Sequence, residues 1–152
     1  MNTMSQRLDY FALSPKASGK YAELSMLLTR SPFLAPLAHL VMLRASQING
    51  CAYCLDMHTR SLRKMGVKIE KLALLQVWHE AEALFDAEER AALAWTEALT
   101  TLPNGVCDEV YAEAAAEFSE KELTYLTSAI ASINVWNRFG AAYRWTPPPR
   151  RQ

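Results

Sequence analysis

The sequence predicts an all-α fold, and its residue usage, patterning and helix caps all point that way. Ala, Leu, Glu, Lys, Arg and Met are abundant, whereas 152 residues hold only 5 glycines. No run of alternating β-branched residues marks a strand. Helix-capping residues recur at the segment starts, and most prolines stand at segment edges.

Ser18 to Leu28 is expected to be helical. Ser31-Pro32 reads as an N-cap with proline at the first helical position, opening a helix to about Gln47. That helix is apolar nearly all round and should be buried. Asn49-Gly50 ends it, and a new helix should run from near Cys51 to Gly66, a C-terminal cap. Glu70 to Phe85 reads as helical with an interruption near Trp78-His79. Asp86-Ala87-Glu88-Glu89 is a capping box for a helix over Arg90 to Thr100, and Leu102-Pro103-Asn104-Gly105 is a turn. A short helix is expected over Asp108 to Phe118. Ser119-Glu120-Lys121-Glu122 is a second capping box, starting a long helix to about Tyr143. The tail from Trp145 to Gln152, with its three consecutive prolines, should be extended.

The long final helix carries two apolar stripes. One is Leu123, Leu126, Ile130 and Ile133; the other is Tyr125, Ala129, Trp136, Phe139 and Tyr143. A surface helix of a monomer needs only one such face. The expectation is therefore a homo-oligomer, with a helix central to the monomer as the alternative.

The length suits one domain over 1–152, with a core over about 20–144. Sixteen basic and sixteen acidic residues are interspersed, so the basic face of a nucleic-acid binder is not expected. Met1 to Arg7 is polar, without the apolar core of an export signal, and no apolar stretch is long enough to cross a membrane. The expected location is cytoplasmic. With three cysteines there, a structural disulfide framework is not expected, and Cys107 is assigned no role.

Reactive chemistry concentrates in Cys51-Ala52-Tyr53-Cys54-Leu55-Asp56-Met57-His58, a C-x-x-C-x-x-x-H run. On a helix these three side chains share an arc of about 60°. One reading is redox: thiolates at a helix start are favoured by the backbone N–H groups, a disulfide can form and reopen, and His58 can take a proton. A second is zinc, with His79 or His39 as fourth ligand, although a second ligand cluster is lacking. A third is a pair of cysteines buried as core residues. Position leaves the attacking sulfur open, since the helix start favours Cys51 and the histidine lies nearest Cys54.

The run from Leu43 through Cys51, Cys54 and His58 to Thr59 resembles the active-site segment of alkylhydroperoxidase D-like proteins of the carboxymuconolactone decarboxylase family. Ala91 to Ala98 and Ile133 to Arg138 also resemble small members of that group. The resemblance spans about Leu37 to Arg144. It implies an all-α fold assembled as a trimer or hexamer, and thiol-dependent reduction of hydroperoxides without a cofactor. It also implies that Cys54 attacks the peroxide, that Cys51 resolves the sulfenic acid as a disulfide, and that His58 serves the proton relay. A thioredoxin-like or lipoyl-bearing partner would then reduce the pair. The dithiol argues against decarboxylation, because the decarboxylase itself lacks it.

The chain departs from the family pattern in two places. His39 stands where the relay usually has a glutamate, and Tyr53 where some members have a histidine. A neutral His39 can accept a proton, though less strongly than a carboxylate, and two imidazoles should not both be charged. Otherwise His39 is a histidine satisfied within the core, and Tyr53 either packs or donates to substrate. Asn134 and Asn137 are expected to anchor helix contacts, and His79 to lie at a surface or interface. The alternative function is a non-catalytic zinc-binding or redox-sensing interaction module.

Overall fold

The computed structural model describes residues 5–149. Among them there is no strand, and the helices in chain order are α1 (Tyr10–Leu13), α2 (Pro15–Thr29), α3 (Leu37–Asn49), α4 (Ala52–Lys64), α5 (Ile69–Leu74), α6 (Ala87–Thr100), α7 (Asp108–Glu117) and α8 (Glu120–Tyr143). Short 3₁₀ turns cover Leu75–Glu80, Glu82–Leu84 and Leu102–Asn104. Among the described residues no helix is long and apolar enough to cross a membrane.

Local chemistry accounts for most of the boundaries. Asp86 accepts from the Glu89 N–H at 2.8 Å while Glu89 returns a bond to the Asp86 N–H, so α6 opens on the expected capping box. Ser119 and Glu122 do the same for α8. Gly50 (φ 67°) ends α3 in the left-handed region, and Gly66 (φ 87°) follows the end of α4. The tail over 145–149 is non-helical, as expected; residues 150–152 lie outside the described residues.

The buried helix starts later than the sequence suggests. Residues 32–36 form turns, and α3 begins at Leu37 with Pro36 as its N-cap. A helix opened at Pro32 cannot pass Pro36, which lacks an N–H and keeps Ala35 out of helical conformation. The interruption expected near Trp78-His79 in the segment over 70–85 is present but wider, leaving α5 and two 3₁₀ turns, with Val77 at non-helical angles (φ −124°, ψ 32°). Trp78 is the reason visible in the packing: it is buried and its indole N–H is committed to Glu97 at 2.8 Å. α1 had no signal in the sequence beyond Asp9, whose carboxylate accepts from the Ala12 N–H at 3.1 Å.

α3 lies at the centre, packed against α4, α6 and α8. Leu40, Val41, Met42, Leu43 and Ala45 are all at most 2% exposed, as an all-round apolar helix demands. α8 is the second spine. Its Leu123, Leu126, Ile130 and Ile133 stripe is buried. Its aromatic stripe is covered within the chain: Tyr10 stacks on Phe139 at 4.1 Å, and Tyr21 meets Trp136 and Phe139 edge-on. The second face of α8 is therefore occupied by α1 and α2, and the two-stripe pattern does not itself require a neighbouring subunit.

Candidate active site

The site is built where α3 hands over to α4. The left-handed Gly50 turns the chain so that the Gly50 N–H bonds to Ser46 O, and the Cys51 N–H reaches the same carbonyl at 3.2 Å. Cys51 becomes the N-cap of α4 in extended conformation, and its Sγ accepts from the Cys54 N–H at 3.4 Å. Cys54, His58 and Leu62 then recur every fourth residue on the buried face. Cys51 and Cys54 are joined in a disulfide with Cα atoms 5.4 Å apart, and they are only 2% and 1% exposed. Cys107 is a free, exposed thiol.

A partly buried amide network holds the residue just before this turn. Asn49 Nδ2 donates to Oδ1 of both Asn134 and Asn137, each at 2.9 Å. Asn137 Nδ2 donates to Ser46 Oγ at 2.9 Å, and Ser46 donates to Met42 O at 2.7 Å. Each side chain satisfies another, so the cysteine turn is tied to α8 without an orphaned polar group. The expected anchoring by Asn134 and Asn137 is observed. Asn49 and Ser46 were missed by sequence reasoning, since a helix-ending asparagine looks the same whether or not it reaches another helix.

The structure brings His39 to His58 across the α3–α4 gap, with Nδ1 to Nδ1 at 3.0 Å. An N···N bond needs one donor and one acceptor, so the two rings must adopt complementary tautomers. Where His58 donates Nδ1–H, its Nε2 carries a free lone pair; that atom is buried and has no hydrogen-bond partner among the described residues. Burial and then the His39 charge lower the pKa of His58 to about 3, and burial lowers that of His39. A dominant carboxylate partner would push both upward instead. The pair is neutral at ordinary pH and admits at most one added proton.

A cavity of about 270 Å³ opens beside the disulfide. Cys54, His39, His58 and Tyr53 border it, whereas Cys51 does not. Its remaining wall is largely apolar, including Met26, Met42, Met57, Ile133 and Trp136. Tyr53 stands edge-on to Trp145 at 5.7 Å, and Trp145 stacks on Phe11 at 5.4 Å. Trp136 is fixed by its indole N–H to Ser25 Oγ at 2.7 Å.

His79 is elsewhere. Its ring lies on Trp78 with centroids 3.6 Å apart, its Nε2 is 3.2 Å from Glu97 Oε2, and it is exposed. It lines a separate cavity with Glu82 and Arg90. Among the described residues no group of three or more His, Cys, Asp or Glu side chains is arranged to hold a metal. The tetrahedral set using His79 is therefore not assembled.

The chain is similar to known proteins in sequence and in fold. The profile of the carboxymuconolactone decarboxylase family matches residues 19–98. The uncharacterized protein YdfG of Bacillus subtilis (strain 168) is 34% identical over 140 residues, which is 91% of this chain and 95% of that protein. The uncharacterized protein YnjA of Escherichia coli (strain K12) is 33% identical over 113 residues, covering 74% of this chain and 62% of its own length. A crystal structure from Agrobacterium tumefaciens, described as a protein of unknown function and a candidate antioxidant defence protein AhpD, superposes with a TM-score of 0.91 at 34% identity, covering 96% of this chain and 100% of that one. An uncharacterized peroxidase-related protein from Silicibacter sp. TM1040 shares the fold at a TM-score of 0.80 and 18% identity, over 91% of this chain and 73% of its own. With its buried cysteine pair, histidine one turn on and all-helical frame, the chain belongs to the carboxymuconolactone decarboxylase family as an AhpD-like member.

Proposed function

We propose that the protein is a dithiol peroxidase that reduces organic hydroperoxides. The observation that carries this reading is the unequal placement of the two sulfurs: Cys54 borders a largely apolar cavity together with His58, and Cys51 sits behind it within disulfide reach. The Cys54 thiolate attacks the terminal peroxide oxygen, the O–O bond breaks, and the alkoxide leaves as an alcohol after taking a proton. Cys54 is then a sulfenic acid. The Cys51 thiol attacks it, water leaves, and the disulfide closes. His58 Nε2 takes the Cys54 proton as general base. His58 passes Nδ1–H to His39 Nδ1, which moves the positive charge from a ring that is 3% exposed to a half-buried one.

Two external thiols return the pair to the dithiol, and we assign them to a thioredoxin-like or lipoyl-bearing partner. The cytoplasm supplies such reductants, and the proposed location is there. We treat 1–152 as one domain acting as a homo-oligomer. Supporting assembly, α1, α2 and the residues before them leave Leu8, Phe11, Leu13, Leu24 and Leu27 at 42–68% exposure. The mass in solution, read by light scattering, tests that point; a monomer at micromolar concentration refutes it.

The decisive experiment adds cumene hydroperoxide to reduced protein and counts free thiols. Loss of two thiols per chain within minutes is expected, with none lost beyond Cys107 chemistry in a Cys54→Ser variant. Unchanged thiols in the wild type, or peroxide consumption by Cys54→Ser, rejects the assignment.

A further inference from the structure

Gly140 lies in the C-terminal part of α8 at ordinary helical angles, so no backbone requirement explains it. Glycine inside a helix is less favourable than alanine. What explains it is the space toward α4. A Cβ at this position would stand 2.6 Å from Cys51 Sγ, 3.7 Å from Cys54 Sγ and 3.7 Å from Trp145 Cε3. Only the first of these is a collision, since nonbonded carbon contacts settle near 3.5–4.0 Å. The clash falls on one sulfur of the pair.

The neighbouring contacts keep that sulfur from moving away as a unit. Asn137, three residues earlier on α8, holds Asn49 just before the cysteine turn. On the other side the Gly140 carbonyl accepts the N–H groups of Arg144 and Trp145, the latter at 3.0 Å. Arg144 takes left-handed angles (φ 57°, ψ 50°), which folds Trp145 back over the same notch. α8 therefore grips the backbone before Cys51 and leaves a gap of one missing methyl group for its sulfur.

We propose that Gly140 is a positioning residue for the dithiol: its bare Cα makes the notch in which Cys51 Sγ sits when bonded to Cys54 Sγ, and so sets how readily the pair closes. The proposal rests on the redox-dithiol reading above but not on peroxide being the oxidant. In reduction, two reductant thiols give two electrons and two protons to the Cys51–Cys54 bond, leaving two protein thiols and a reductant disulfide. In the dithiol, Cys51 Sγ can turn to another staggered rotamer; in the disulfide it is tied in place. A methyl group at 140 should therefore penalise the closed form more than the open one.

The test equilibrates wild type and Gly140→Ala with graded ratios of reduced to oxidised dithiothreitol, then quenches, alkylates and counts thiols by mass. The expected result is a closing equilibrium constant about tenfold lower in Gly140→Ala; an unchanged midpoint overturns the proposal. Thermal unfolding of Cys51→Ala and Cys51→Ala/Gly140→Ala supplies the second arm. Without Sγ the added methyl should be harmless and alanine is the better helix former, so the double variant should melt no lower than Cys51→Ala; a drop in the double variant means Gly140 serves general packing and the proposal fails. Should Gly140→Ala alone not fold, a folded double variant supports the proposal and an unfolded one refutes it. No peroxide enters either arm, so failure of the peroxidase reading is scored separately.

Discussion

Two places in this molecule gather histidine, and they are opposites. At the dithiol, His39 and His58 are bonded to each other, and burial lowers both pKa values. At the α3–α6 contact, Glu97 gathers Arg44 and Trp78 on Oε1, each at 2.8 Å, and exposed His79 on Oε2 at 3.2 Å. Burial pushes the Glu97 carboxyl up, but hydrogen bonds from Arg44, Trp78 and His79 outweigh it, and its pKa ends below the usual range. One site keeps its basic groups uncharged beside the sulfurs; the other stabilises a charge and uses it to hold helices together. The lesson is that the Glu97 carboxylate is spent on structure, while the proposed chemistry relies on two weak bases acting in series.

Removing the proposed base should have the largest effect. His58→Gln keeps the shape but cannot accept the Cys54 proton, and the rate of peroxide-dependent thiol loss should fall about 100-fold. A rate within threefold of wild type would move His58 out of the mechanism. Next, Glu97→Ala should lower unfolding free energy by about 2 kcal/mol, because Arg44 and the Trp78 indole lose their acceptor. Its thiol-oxidation rate should stay within twofold, and urea titration together with stopped-flow thiol counting separates the two effects.

His39→Glu brings a carboxylate to the neutral site and so narrows the contrast. The negative charge raises the pKa of His58, making it a stronger base, and thiol oxidation at pH 7 should rise about tenfold. A slower variant would show that the imidazole pair is not limited by basicity. The neutral pair also governs acid stability. His58 titrates near 3 when folded against 6.5 as its ordinary value. Between those values the unfolded chain binds a proton that the folded ring refuses, so stability should decline as pH falls from about 6.5 toward 3, by up to about 1.4 kcal/mol per pH unit. His58→Gln should flatten that slope in urea titrations at pH 7 and pH 5; an identical slope would assign the acid sensitivity to other groups.

Much of this was legible from local sequence. The Asp86–Glu89 and Ser119–Glu122 boxes, the Gly50 stop and the cysteine–histidine spacing each involve residues within one or two helical turns, where geometry follows directly from neighbours in the chain. The buried character of α3 followed from its composition. The full extent of the break over 75–84 did not, beyond the interruption expected near Trp78-His79, because the Trp78 indole bonds Glu97, a partner in another element. Nor did the cover on the second stripe of α8, which comes from Tyr10 and Tyr21 more than a hundred residues away in sequence.

The sequence by itself determined that the chain is helical, where most helices begin and end, and that a dithiol and a histidine share one face of a helix. Those properties depend on caps, turn residues and a period of 3.6 residues. Only the tertiary structure decided that His58 meets His39, that Asn49 is held by Asn134 and Asn137, that Cys54 rather than Cys51 borders the cavity, and that Gly140 leaves the space for Cys51 Sγ. Each of these depends on how closely and at what rotation two helices pack, and that is set by the sum of many side-chain contacts that no local pattern contains.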